Sequence, residues 1–485
     1  MNGMDTRHQK VFRDPVHGYI SVPRDLCDRF IDTAIFQRLR NIEQTSMRPL
    51  YPSAHHDRFA HSLGVYHLAN LAFHHLKRNT DPTLLPGIDL SDYKASFLVA
   101  ALMHDCGHAP FSHTFEEFYN RGNRAEKLLK ELAGPAFSAD YDHNYETERK
   151  GPAEHEMFSA AVFLKHYAGA FTDLFKAAEP VLVARMITGC IHQGTKKLAE
   201  EVENCLILLL NGRAIDVDKL DYILRDTWAS GVNNVSVDVH RLLSALELVR
   251  FDDHLVPAFN KSALSVVQGV VDGRNYLFNW IYGHHTVCYY NELLTSAVKK
   301  LSRLVSPDGK PDRLLDTLFS AEAFEGPVKI KTFSAYLPCD GDIYCFLKHY
   351  RKDIPEVDEI LSRQPRLVPL WKTQAEFEHI FAKKKGADQR THIRVRVKEI
   401  LAPVITDAAA RNRIMALSVK PKLATIQENE LYVTLRNTVI PFTEASGSPT
   451  RKHDENISYF YVFIPRECID RAEECVKALQ AEKTY

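Results

Sequence analysis

The sequence predicts a mainly α-helical protein with a large helical core, a helical extension and a small α+β region at its C-terminal end. Three observations carry this. Apolar residues recur at helical spacing through most of residues 25–300. The segment "LVSPDGKPDR" (304–313) breaks the pattern, and helical spacing resumes from 314 to about 382. After the basic cluster "KKKGADQRTHIRVRVK" (383–398) the character changes: "ELYVTLRNTVIPF" and "ISYFYVFIP" are rich in β-formers and flank a flexible "TEASGSPTRKHDEN". The expected parts are therefore residues 1–303, 304–382 and 383–485.

In chain order, the first strong element is "RFAHSLGVYHLANLAFHHL" (58–76). Phe59, Leu63, Phe73 and Leu76 lie near one helical face, with Val65, Leu68 and Ala72 beside them. Residues 79–92 read as a loop, with Pro82, Pro86 and Gly87. The stretches 96–105, 155–167, 206–228 and 262–300 read as further helices. Residues 120–152 are polar with scattered Gly and Pro, and read as an insertion or mobile lid.

Composition excludes several classes. The formal net charge of −1 offers no global basic field for nucleic acid or an anionic membrane. Nine scattered cysteines without a CxxC pair read as reduced thiols of a cytoplasmic protein. No signal peptide opens "MNGMDTRHQK", and no apolar run approaches the about 20 residues that span a bilayer. The oddity is 23 histidines, and they cluster.

Chemistry concentrates at four places. "HDCGHAPFSH" (104–113) follows the apolar "SFLVAALM", so a buried helix ends on His104 and Asp105. Buried polar groups need partners. His61 stands early in the 58–76 helix, and His155 opens another in "AEHE". "RAIDVDKLDYILRD" (213–226) spaces Asp218, Tyr222 and Asp226 four apart, on one helical face. Singly, each residue reads as ordinary: a histidine as packing, an Asp-x-Asp as a cap. Together they make a spaced H…HD…D pattern on three helices. Two imidazoles and two carboxylates suit one divalent ion such as Fe, Mn, Zn or Ni. An adjacent His-Asp pair reaches one ion because neighbouring helical side chains diverge by about 100°.

That pattern, with the longer phrases "DPVHGYI" (14–20), "IDTAIFQRLRNIEQ" (31–44), "HHDRFAHSLGV" (55–65), "LMHDCGHAPFSH" (102–113), "EHE" (154–156), "IDVDKLDYILRD" (215–226) and "GRNYLFNWIYGHH" (273–285), resembles the HD-domain metal-dependent phosphohydrolases. Within them the chain is similar to the deoxynucleoside triphosphate triphosphohydrolases, most of all the branch whose animal members carry an HD domain behind a SAM domain. The resemblance covers residues 10–300, continues weakly to about 372, and includes no SAM domain.

The resemblance implies an HD-domain helical core with metal ligands His61, His104, Asp105 and Asp218. It implies that Arg58 contacts phosphate, that His108 and His113 line the α-phosphate, and that His155 is the general acid. It implies that Lys219, Tyr222 and Arg274 hold the triphosphate, that Gln44 and Asp226 bond the 3′-hydroxyl, and that Tyr282 packs on the sugar. Thr45 departs from the family, which has leucine beside the sugar. Lys10, Val11, Asp32, Gln37 and Arg40 match half of a nucleotide-activator site formed between subunits, so a homo-oligomer (dimer or tetramer) is implied. Mg or Mn would accompany the nucleotide.

The expected reaction is hydrolysis of a dNTP to deoxynucleoside and tripolyphosphate, which would serve pool balance or defence against a virus or phage. One alternative stays within the superfamily: phosphates removed stepwise, or another phosphoester cleaved. The other is a non-catalytic nucleotide sensor or nucleic-acid-binding module. Its best support is the basic stretch 383–398, which we read instead as a solvated face or an oligomer contact.

Overall fold

A computed structural model describes residues 8–119, 121–146, 151–306, 313–330, 333–381, 387–403, 405, 414–420, 423, 431–446 and 459–481. The chain forms two compact units that interleave in sequence. The first is Met1–Asn275, Leu301–Phe346 and Ala424–Arg451; the second is Tyr276–Lys300, Leu347–Leu423 and Lys452–Tyr485. The linear division at 303 and 382 follows composition and remains a proposal.

The first unit is built around the helix Arg58–Asn79. Asp57 caps its start by accepting the Ala60 N–H, and Phe59, Leu63, Val65, Leu68, Ala72 and Leu76 are buried, as the spacing predicts. It packs against the helices Lys94–Met103 and Val217–Ser230 and the strand Leu246–Phe251. Lys94–Met103 is buried on every face from Ser96 onward, which explains its unbroken apolar run. Truncating Leu102 there costs about 2–5 kcal/mol, the usual range for a core leucine. The helix stops at Met103, leaving His104 and Asp105 just beyond its last turn.

Several expectations change. The single stretch 206–228 is two helices, Leu198–Leu210 and Val217–Ser230. Between them a Cβ on Gly212 would lie 2.3 Å from the Leu208 carbonyl oxygen, and Asp216 caps the second helix. Residues 120–152, expected as an insertion or lid, contain the helices Arg124–Ala133 and Pro135–Glu146. Their polar composition hid a narrow buried stripe of Ala125, Leu129, Phe137 and Tyr141. Residues 147–150 lie outside the described residues.

Three antiparallel pairs of consecutive strands among the described residues interrupt the helical reading, one of them Val328–Ile330 with Phe333–Ala335 inside the stretch 314–382. Gln9–Asp14 pairs antiparallel with Gly18–Pro23. Leu246–Phe251 pairs with His254–Asn260 across Asp252 and Asp253, both at positive φ as a tight hairpin turn requires. The β-rich Tyr432–Leu435 adds to this sheet parallel to His254–Asn260, and Thr438–Pro441 closes it.

In the second unit Tyr459–Pro465 is the central strand between Leu367–Pro369 and Met415–Val419, antiparallel to both. Every residue of that strand is buried, and Trp371 donates its indole N–H to the Phe460 carbonyl at 2.5 Å. The helix Ala472–Ala481 packs on Ala387–Leu401. The two β-rich segments after 430 thus belong to different sheets. Lys383, Lys384 and Lys385 of the basic cluster lie outside the described residues. Among the described residues no helix is long and apolar enough to cross a membrane.

Candidate functional site

Three helix ends of the first unit meet. Arg58 and His61, three residues apart, occupy one face of the first turn of Arg58–Asn79. His104 and Asp105 follow Lys94–Met103. Asp218 lies in the first turn of Val217–Ser230, where the helix dipole favours an acid. His61 Nε2 is 3.2 Å from His104 Nε2, 3.0 Å from Asp218 Oδ1 and 3.7 Å from Asp105 Oδ2. His104 Nε2 lies 3.6 Å and 3.5 Å from the same two oxygens.

Donors about 2.1 Å from an ion stand about 3.0–3.4 Å apart at octahedral or tetrahedral angles. The His61–His104 and His61–Asp218 spacings fall in that range, and those to Asp105 and from His104 to Asp218 are 0.1–0.3 Å longer. The ring tautomers also fit. His61 Nδ1 donates to Asp221 Oδ2 at 2.7 Å, and His104 Nδ1 donates to the Ala101 carbonyl at 2.9 Å. Each bond directs Nε2 inward, the outer support that metal-binding histidines use. Burial alone would lower the His61 pKa, but hydrogen bonds to Asp218 and Asp221 outweigh it and take it up to about 9. Asp105 is pushed up by burial, yet Arg58 and the neighbouring histidines hold it well below the usual carboxylate range. Asp218 is likewise lowered: burial opposes ionisation, and the His61 hydrogen bond and the His104 charge overcome it.

Behind His61 lies a layer that the sequence reading missed. Asp221 also accepts from His17 Nε2 at 2.6 Å and from Arg225 Nε at 2.9 Å, and Arg225 reaches Asp14 at 2.8 Å. Gly64 makes room for it, since a Cβ there would lie 1.9 Å from Asp221 Oδ1. The phrase "DPVHG" supplies Asp14 and His17, and Asp221 stands one turn after Asp218. Those spacings were the only available signals.

Beside the first group, His108, His113 and His155 form a second. The His108 and His155 rings stack at 4.5 Å, and His113 meets them edge-on at 5.2 and 4.9 Å. Glu116, also missed, accepts from His155 Nδ1 at 2.6 Å and from His113 Nδ1 at 3.1 Å. Burial lowers the His155 pKa, but the Glu116 carboxylate more than reverses this, so the net shift is upward. His108 Nε2 is buried without a hydrogen-bond partner among the described residues, 3.8 Å from Asp105 Oδ1. Burial, with Arg58 nearby, keeps the His108 pKa well below its ordinary value, so its ring is neutral.

Arg58 donates to Asp105 at 2.6 Å, to Ser112 Oγ at 2.9 Å and to the Gln44 carbonyl at 3.2 Å. Lys219 donates to the Gly212 carbonyl at 2.8 Å and pairs with Asp216. Burial pushes its pKa down, and the Asp216 charge raises it again to a net increase. Arg274 acts electrostatically on both Lys219 and Tyr222. Asp226 accepts from His56 Nε2 at 2.6 Å, and the His56 carbonyl accepts the Gln44 N–H, so Gln44 and Asp226 share one neighbour. Gln44 Oε1 and Thr45 Oγ1 are buried without partners among the described residues. Tyr282 belongs to the second unit, where its ring meets Phe278 at 5.0 Å. Four of the five activator-site candidates pair locally. Lys10 bridges to Asp32 at 2.9 Å, Arg40 donates to Gln37 at 2.8 Å, and Val11 is 55% exposed.

Residues 58–178 match the HD domain family, and the matched stretch contains His61, His104 and Asp105 at the converging helix ends. That stretch is similar to HD domains. Some of the chain's relatives are named deoxynucleoside triphosphate triphosphohydrolases. It is 27% identical over 341 residues to the Danio rerio protein named deoxynucleoside triphosphate triphosphohydrolase SAMHD1 (68% of this chain, 51% of the relative). It is 28% identical over 361 residues to the Gallus gallus protein of the same name (74% and 55%). It is also 27% identical over 298 residues to the uncharacterized protein YwfO of Bacillus subtilis (61% and 57%). The chain spans about half the length of the curated relatives it matches.

Proposed function

We propose that this protein is a metal-dependent phosphohydrolase that cleaves deoxynucleoside triphosphates at the α-phosphate, giving deoxynucleoside and tripolyphosphate. The observation that carries the reading is the convergence of His61, His104 and Asp218, with Asp105 3.5 and 3.7 Å from the two imidazoles and a histidine–carboxylate cluster directly beside it. The names of the animal relatives supply the substrate class.

His61, His104, Asp105 and Asp218 hold one divalent ion (Fe, Mn, Zn or Ni), with Mg or Mn accompanying the nucleotide. When bound, that ion supplies Lewis acidity and charge neutralisation at the phosphate. Arg58 spends three of its five N–H groups on Asp105, Ser112 and Gln44, which leaves two for phosphate oxygens. Lys219, Tyr222 and Arg274 bind the rest of the triphosphate, whose several charges need such a clamp. Gln44 and Asp226 take the 3′-hydroxyl. His155, kept protonated by Glu116, donates its proton to the departing ribose oxygen. His108, neutral and buried, and His113 line the α-phosphate. A nucleotide activator binds Lys10, Val11, Asp32, Gln37 and Arg40 in a cytoplasmic homo-oligomer, and the biological outcome is dNTP depletion, for pool balance or defence.

The test is incubation with each dNTP and NTP plus Mn²⁺ or Mg²⁺, resolving nucleoside, tripolyphosphate, pyrophosphate and phosphate. Equimolar deoxynucleoside and tripolyphosphate are expected. Stepwise release of phosphate would transfer the reading to a different phosphoester chemistry, and tight binding without turnover would make the protein a sensor.

A further inference from the structure

The loop that carries Ser112 and His113 is strained. Phe111 and Ser112 are consecutive non-glycine residues at φ 59° and 50°, a region that side chains disfavour. Something must hold them there. Asp340 lies far along the chain, outside the stretch that matches the HD domain, and its side chain reaches this loop. Its carboxylate is buried, with the residue 6% exposed. It accepts the Phe111 N–H at 2.6 Å on one oxygen and the Glu43 N–H at 2.9 Å on the other.

The two segments that Asp340 joins are the ones that hold Arg58. Ser112 Oγ accepts from Arg58 Nε at 2.9 Å and donates to the Glu43 carbonyl at 2.5 Å. The Gln44 carbonyl accepts from Arg58 Nη2 at 3.2 Å. Arg58 is thus fixed at one end by Asp105 and at the other by a ring of bonds through Ser112, Glu43, Asp340 and Phe111. The neighbourhood of Asp340 supports the same loop twice more. Tyr344 meets Phe111 edge-on at 5.1 Å, and the buried Arg38 bonds the Pro338 carbonyl at 3.0 Å and the His108 carbonyl at 2.6 Å. A buried carboxylate satisfied by backbone N–H groups is an expensive fastening for a purely structural joint. Its burial, opposed by the two N–H bonds, pushes its pKa up to about 7.

We infer that Asp340 is a positioning residue for Arg58, so that a segment outside the HD stretch sets the guanidinium that meets the substrate phosphate. This rests on the phosphate role proposed above for Arg58. The effect belongs in phosphate binding and leaves the metal pocket intact.

The experiment measures binding of inorganic tripolyphosphate to the Mn²⁺-loaded protein by calorimetry. Wild type, Asp340→Asn, Arg58→Lys and the double variant are compared, with Mn²⁺ content determined in each. Asp340→Asn turns one acceptor into a donor facing an N–H. It should weaken tripolyphosphate binding about tenfold, the scale of one lost charge-assisted hydrogen bond. Arg58→Lys should weaken it at least as much, and the double variant no further, because Asp340 acts through Arg58. Unchanged binding in Asp340→Asn, or a full additional loss in the double variant, overturns the inference. If Arg58→Lys alone binds as wild type does, the phosphate role of Arg58 fails and takes this inference with it. Should Asp340→Asn not fold, Ser112→Ala opens the same ring from the other side and must show the same non-additivity.

Discussion

Glu116→Gln is the sharpest test of the proton donor. The carboxylate touches two histidines, His155 at 2.6 Å and His113 at 3.1 Å. His155 is 9% exposed, and burial alone would drive its proton off; the Glu116 charge reverses this. Because the folded-state pKa of His155 is raised, its acid form persists to higher pH than an ordinary histidine, and the proton is lost as pH rises through that value. Rate should therefore be flat on the acid side of the limb and fall on the alkaline side. Glutamine keeps the shape and one acceptor but removes the charge. A hydrogen bond to a charged group is worth about 1.5–3 kcal/mol, so the alkaline limb moves to lower pH and the rate on it falls about 10- to 100-fold. The assay is kcat/KM for a dNTP against pH at fixed Mn²⁺, with metal content measured alongside. A limb that stays in place or moves to higher pH refutes the assignment. It would show that the proton comes from elsewhere, His113 being next in line.

Three further outcomes follow from the geometry. Replacing His104 and Asp105 together by Ala should abolish bound metal and turnover together, as elemental analysis and product assays would read. It should also lower the melting temperature, since Arg58 loses its buried partner at a cost of about 3–5 kcal/mol. Thr45→Leu replaces a buried hydroxyl without a partner among the described residues by the leucine that the resemblance implies there, and should raise the deoxy-to-ribonucleotide preference by about tenfold in kcat/KM. The Lys10→Ala, Arg40→Ala double variant should keep single-substrate turnover but lose stimulation by a second nucleotide, together with any change of mass on light scattering.

The fold was legible where one period dominated. Arg58–Asn79 and Lys94–Met103 announced themselves because one buries a stripe and the other buries its whole surface. Arg124–Ala133 did not, because only Ala125 and Leu129 are buried in a polar background. The hairpin Leu246–Asn260 was hidden by a turn of two aspartates at positive φ, where Asn-Gly would have signalled it. Tyr432–Leu435 pairs parallel with a strand more than a hundred residues earlier in the chain, and no local pattern encodes that partner.

The site divides along the same line. Residues that reach one point in space from helix ends leave a trace in sequence, because imidazole and carboxylate at a buried helix end are costly unless something completes them. His104 and Asp105 were readable for that reason, and His61 and Asp218 through the spaced H…HD…D pattern that joins them. The residues that aim them leave no such trace. His17 and Asp221 are 204 positions apart, and Phe111 and Asp340 are 229 apart. An aspartate in "CDGD" looks like a helix start, which it also is, since Asp340 opens Asp340–His349. Only the folded chain shows its carboxylate turned away from its own helix and onto the peptide N–H groups of Glu43 and Phe111. If positioning of this kind governs the chemistry, substitutions at Asp340 and Ser112 should change phosphate affinity and pH profile while metal content stays constant, whereas substitutions at Asp221, which aims His61, should lower metal content. Substitutions among the four donors should remove all three together. That separation can be measured on one set of purified variants, and it distinguishes a supported site from a cluster of polar residues that merely pack.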